Sequence, residues 1–209
     1  MPTARPPKLG RQNAIVQWDA YRADASGHPD SVCPPTRQIS SATVAAAEVP
    51  ADLQLTAVDG QTRSIDEWLI TFQMLGVVLD PFTYESSWIL GTAGRVMETY
   101  REASLRTCFV VTGTIEEAKQ FCGPWLDRVL VFADPDRAFV KAAGLEALPA
   151  LFHLRQNRQF GGIAQGWQPE QWRALSNQVA AERRWSSPVI PTAADPVAYA
   201  GSAALGTSA

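Results

Sequence analysis

A chain of 209 residues, 46% hydrophobic and with seven tryptophans, holds material for one substantial core; polar and small-residue stretches at both ends reduce the folded part to about 140 residues. A formal charge of −3 supplies no positive field for phosphate backbones, which argues against nucleic acid as a partner. No apolar run approaches the roughly 20 residues of a membrane helix, and residues 1–20 lack a stretch of signal-peptide length, so the expected location is cytoplasmic, away from the membrane.

Residues 1–50 mix Pro, Ser, Ala and Arg without periodicity and read as a flexible or surface-draped arm, in which Ile15 to Trp18 is a short apolar stretch suited to docking. The folded domain is expected over 51–185. Leu53 to Val58 reads as a strand closed by a turn at Asp59-Gly60, and Ser64 with Glu67 forms a capping box that opens a short helix. The run Gly76-Val77-Val78-Leu79 is short, apolar and β-branched, as expected of a strand covered on both faces. A helix is predicted from about Ser86 to Ser104, then a buried strand at Cys108 to Val111. Thr114 and Glu117 cap a further helix that ends near Gly123-Pro124, and Val129 to Ala133 gives a third buried strand. Pro135 to Ala143 reads as a helix stopped by Gly144. Ala150 to Leu154 and Gln159 to Ala164 flank a polar link, the pattern of an antiparallel hairpin in which Gly161-Gly162 marks a bulge. Pro169 to Arg183 is an amphipathic helix with Trp172, Leu175, Val179 and Ala180 on one face. Ser186 to Ala209, rich in Pro, Ala, Gly and Ser, is expected to be a disordered tail. Alternating strands and helices closed by a hairpin imply an α/β fold, a largely parallel sheet flanked by helices with antiparallel strands at its end.

The stretch Val77-Val78-Leu79-Asp80-Pro81-Phe82-Thr83-Tyr84-Glu85-Ser86-Ser87-Trp88-Ile89 resembles the strand-to-helix turn of thioredoxin-like proteins, in which Cys-x-x-Cys opens the helix. Leu148-Pro149 before a strand, and the closing hairpin and helix, are similar as well. The additional helix and strand over Thr114 to Ala133, and the stretch Asp134-Pro135-Asp136 through Pro149, resemble the TlpA and AhpC/TSA (peroxiredoxin-like) branch. The resemblance covers roughly Leu53 to Arg183 and implies a thioredoxin-like mixed sheet with an extra βα insertion.

On that pattern Ser86 falls at the first cysteine and Ile89 at the second. A serine hydroxyl is not appreciably ionised near neutral pH and forms no mixed disulfide, and isoleucine resolves nothing, so the resemblance implies a redox-inactive member. Thr83-x-x-Ser86 likewise resembles the peroxidatic Thr-x-x-Cys with its sulfur removed. Asp80 stands where the family keeps a buried carboxylate; the alternative is a strand-end Asp that caps a turn. Pro149 resembles the family's cis-proline, whose adjacent backbone groups pair with a bound peptide as an extra strand; the alternative is a conformational lock without a ligand. Ser86 and Ser87 are expected to cap the helix, with an anion at its free amides as a second possibility, and Trp88 is a candidate contact for a partner.

Three widely spaced cysteines, Cys33, Cys108 and Cys122, fit neither a disulfide framework nor a zinc site. Cys122-Gly123-Pro124-Trp125 mimics part of the thioredoxin signature but sits at a helix C-terminus without a second cysteine. Cys108 reads as a small buried hydrophobe, and His153 as a structural histidine. The expected function is therefore protein binding or scaffolding through a groove formed by Asp80, Ser86, Ser87, Trp88, Leu148 and Pro149, with no metal, no cofactor and no catalytic residue. The alternatives are a thiol-disulfide oxidoreductase or peroxiredoxin-like enzyme using Cys33, Cys108 or Cys122, and a domain whose role lies in its tails.

Overall fold

Every apolar run picked out between Leu53 and Ala164 becomes a strand of one sheet. The computed structural model describes residues 48–206; Cys33 and the Ile15–Trp18 stretch lie outside them. A hairpin comes first: β1 (Gln54–Ala57) turns at Asp59-Gly60, where Gly60 has a φ of +92°, into β2 (Thr62–Ser64), a strand the sequence reading lacked. The Ser64/Glu67 capping box opens α1 (Ile65–Leu69). Then follow β3 (Gln73–Leu79), α2 (Tyr84–Thr99), β4 (Leu105–Val111), α3 (Ile115–Cys122) with its Thr114/Glu117 capping box, β5 (Leu130–Ala133) and α4 (Ala138–Ala142). The chain closes with β6 (Ala147–Leu148), β7 (Ala150–Leu154), β8 (Phe160–Gln165), α5 (Pro169–Arg183) and β9 (Ser202–Ala203).

The main sheet has the order β2-β1-β5-β4-β3-β7-β8. Only β3–β4 and β4–β5 pair in parallel; the hairpin at each end joins antiparallel. The sheet is thus mixed rather than largely parallel, because β1 enters beside β5 against its direction. Side chains alternate across it. Leu75, Val77 and Leu79 of β3 pack with α2, α3 and α5, while Met74 and Val78 face α1 and α4.

Two helices begin away from their expected starts. α2 opens at Tyr84, two residues before Ser86, and closes well before Ser104, which has a left-handed φ of +54°. α4 starts at Ala138 rather than Pro135, because the Asp134 carboxylate accepts the amides of Ala138, Phe139 and Val140 and so fixes the first turn there. Among the described residues no helix is long and apolar enough to cross a membrane.

The expected disordered tail takes a different course. Residues 186–206 run back over α2, α5 and the end of the sheet: Ile190 joins the core beside α2 and α5, Ala204 joins the opposite one, and β9 pairs with β6. Few of its side chains are bulky, but its backbone and a handful of polar groups find partners on the domain, and these hold it.

Candidate functional site

β3 ends at Leu79, and the next ten residues build the turn and the first turns of α2, with Ser86 and Ile89 at the positions that the family resemblance gives to cysteines. Asp80 is buried. Its Oδ1 accepts the Phe82 amide at 3.0 Å, an Asx turn, and its Oδ2 meets Arg137 Nη2 at 2.8 Å. Asp80 therefore caps a turn and also pairs with a guanidinium. Ser86 is 0% exposed. Its Oγ accepts the Asp80 amide at 2.9 Å and the Thr83 hydroxyl at 3.1 Å, so it closes the turn upstream and does not cap the helix. Ser87 is exposed and donates to the Thr83 carbonyl at 3.2 Å, again without capping. The physical reason is the earlier helix start: Thr83 is the N-cap, which leaves both serines inside the first turn. Ile89 is buried in the core under α2.

Aromatic side chains gather outside this sealed turn. Phe82, Tyr84 and Trp88 are 70%, 78% and 57% exposed; Tyr84 stacks on Trp88, and Trp88 meets Tyr199 of the C-terminal segment edge-on at 5.8 Å between centroids. A cleft of 300 Å³ lies beside them, between Pro81 and Phe82 on one wall and Glu117, Gln120 and Phe121 of α3 on the other.

Leu148 and Pro149 are buried, and the bond between them is cis. The backbone just before Pro149 is strand β6, already paired: Leu148 lies opposite Ser202, Ala147 opposite Ala203, and the Ala204 amide donates to the Glu146 carbonyl at 2.9 Å. The Gln165 side-chain oxygen also accepts the amides of Glu146 and Ala147. Of the six expected groove residues, the C-terminal segment meets Trp88 through Tyr199 and Leu148 through Ser202. Its Tyr199 hydroxyl donates to the Glu85 carbonyl on α2 beside Ser86, and burial pushes that hydroxyl's pKa up, which keeps it a donor. Its Ala204 carbonyl accepts Arg137 Nη1, the same guanidinium that holds Asp80.

Arg137, Tyr199, Gly201 and Ala204 escaped the sequence reading. A single aromatic in a stretch of Ala, Gly and Ser was the one available signal.

Both described cysteines are free and buried. Cys108 belongs to the core beside α1 and α4 and Cys122 to the core beside α2 and α5, so the sheet stands between them and a bridge between the two is ruled out. Burial pushes the Cys108 thiol far up and that of Cys122 up to about 12. Neither supplies a thiolate near neutral pH. His153 is fully buried, with Nε2 2.7 Å from Gln73 Oε1; burial lowers its pKa to about 4, against the opposing pull of the Glu182 carboxylate 4.0 Å from Nδ1.

The mixed sheet, the helices on both faces and the closing hairpin and helix make this a thioredoxin-like fold. Solved structures agree. A hypothetical protein from Sinorhizobium meliloti 1021 matches with a TM-score of 0.59 and 13% identity over 80% of this chain and 97% of that one. A protein named as the thiol:disulfide interchange protein DsbE of Chlorobium tepidum matches at 0.54 with 15% identity over 66% and 96%, and peroxiredoxin Q of Xanthomonas campestris at 0.53 with 13% identity over 66% and 95%. No protein-family profile matches the sequence, and no curated protein is significantly similar to it.

Proposed function

We propose that this protein is a thioredoxin-fold binding protein without thiol chemistry, which engages another protein at the end of the sheet marked by Ser86, Trp88 and Pro149. The observation that carries this reading is the state of the turn: a serine stands at the head of α2, sealed from solvent and bonded to the Asp80 amide and the Thr83 hydroxyl. A hydroxyl there neither attacks a disulfide nor resolves one. Exposed Phe82, Tyr84 and Trp88 beside it form the kind of rigid aromatic surface enriched at interfaces. Free, buried thiols also fit the cytoplasmic location we propose.

Two measurements test it. Rapid alkylation of the native protein at mildly acid pH, before and after peroxide, is expected to leave Cys33, Cys108 and Cys122 unmodified; a thiolate trapped at any of them overturns the redox-silent assignment. Trp88→Ala is expected to weaken quantified capture of a specific partner while leaving the unfolding transition in place, since this indole is more than half exposed. Equal capture by both proteins removes the groove from consideration.

A further inference from the structure

The edge before Pro149 is occupied by the protein's own C-terminal segment, and the manner of its seating carries a consequence for binding. β9 adds to β6 as an antiparallel strand through backbone groups, the way an extended peptide joins a sheet edge. Seating is close. A methyl group on Gly201 would lie 2.5 Å from the Leu148 carbonyl oxygen, and one on Gly166 would lie 2.3 Å from the Ala200 carbonyl oxygen; both glycines have positive φ. Ser202 and Ala203, the paired residues, are small. Side chains hold the segment along its length, among them Trp167 on the Pro196 carbonyl, Gln168 on that of Tyr199 and Arg173 on that of Ile190, and two clusters bear on the strap. At one, Asp195 receives both its oxygens' bonds from Arg95 Nη2 (2.9 and 2.8 Å), with a further bond from the Thr92 hydroxyl at 2.7 Å, all on α2. At the other, Tyr199 reaches Glu85 and Arg137 reaches Ala204.

We propose that Tyr199–Leu205 is an intramolecular strap that occupies the strand-addition edge at Ala147–Leu148, and that a partner segment gains the edge only when the strap leaves it. The inference rests on the binding role given above for this end of the sheet and names its regulation. The strap also defines the partner's chemistry: an extended protein segment with a glycine before the paired strand and small side chains on it. A tethered strand competes at an effective concentration in about the millimolar range, and a site open for about 1% of the time binds a competitor about 100-fold more weakly than an open one.

The test uses the full chain and a labelled synthetic peptide, Tyr-Ala-Gly-Ser-Ala-Ala-Leu, followed by fluorescence anisotropy, with hydrogen exchange of the Ala204 amide as a second readout. Asp195→Ala loosens the anchor on α2 at a distance from the edge, and Gly201→Val blocks the strap at the edge itself. Both variants are expected to exchange Ala204 faster and to bind the peptide at least about tenfold more tightly than the native chain; a peptide with valine in place of its glycine is expected not to bind. Equal, tight binding by native and variant chains overturns the strap while leaving the groove as a binding site. Fast Ala204 exchange without peptide binding in either variant overturns the binding role itself. Slow exchange in both variants overturns release, and a concentration-dependent dimer that protects Ala204 in the native chain moves the strap to a neighbouring copy and overturns the intramolecular assignment.

Discussion

Ser86 and His153 show how single buried polar groups set the properties of this domain. Removing the hydroxyl in Ser86→Ala leaves the Asp80 amide buried without its acceptor, which is expected to lower stability by about 1–3 kcal/mol in urea unfolding. An unchanged midpoint would mean that water reaches the turn. His153 is neutral in the folded protein down to pH about 4, because burial depresses its pKa, while an unfolded chain takes up the proton from about 6.5. Stability linked to it is therefore complete above pH 6.5 and is lost as pH falls from 6.5 toward 4, by up to about 3 kcal/mol. His153→Gln is expected to show a flatter decline of its urea midpoint across that window than the native chain, and parallel curves would count against this account. At this scale the sequence showed the serine and the histidine, but it placed Ser86 as a helix cap. Only the real start of α2 at Tyr84 revealed that its hydroxyl serves Asp80 instead.

Among the elements, β3 is an interior strand, flanked by β4 on one side and β7 on the other. Gly76 sits at its centre where a Cβ would lie 2.6 Å from both the Cys108 sulfur and a Phe152 ring carbon. Gly76→Ala forces those side chains to move, and a loss of about 1–3 kcal/mol is expected in thermal or urea unfolding. The long apolar runs were legible as strands because alternation and β-branching are local properties, and both capping boxes were legible because their reciprocal bonds span three residues. Two-residue strands are another matter. Ala147–Leu148 and Ser202–Ala203 exist only through each other, across more than fifty positions, and neither has a periodicity of its own. α4 was misplaced for a related reason: the Asp134 carboxylate reaches over Pro135 to the amides of Ala138 to Val140.

At the scale of the described molecule, residues 48–206, the main sheet separates two cores, and each contains one of the described cysteines. Cys108 on one face and Cys122 on the other thus report on opposite halves of the same cooperative unit. Their alkylation rates are expected to rise together with denaturant, along a single unfolding transition; reaction of Cys122 well ahead of Cys108 would show that α3 opens locally. The C-terminal segment adds a further layer, since it ties α2, α4, α5 and the strand before Pro149 together through Asp195 and Tyr199 on α2, Ala204 on Arg137 and β6, and the Ile190 carbonyl on Arg173 of α5.

By itself the sequence determined the thioredoxin-like order of elements and the serine and isoleucine that stand at its turn, because strand alternation, capping and residue identity are written within a few positions of one another. Tertiary structure alone decided that Ser86 closes on Asp80, that Arg137 joins Asp80 to Ala204, and that a tail of small residues pairs with the two-residue strand before Pro149. Small side chains carry almost no apolar pattern to read, and their value here is that they let backbone approach backbone, which becomes visible only when both segments are in place.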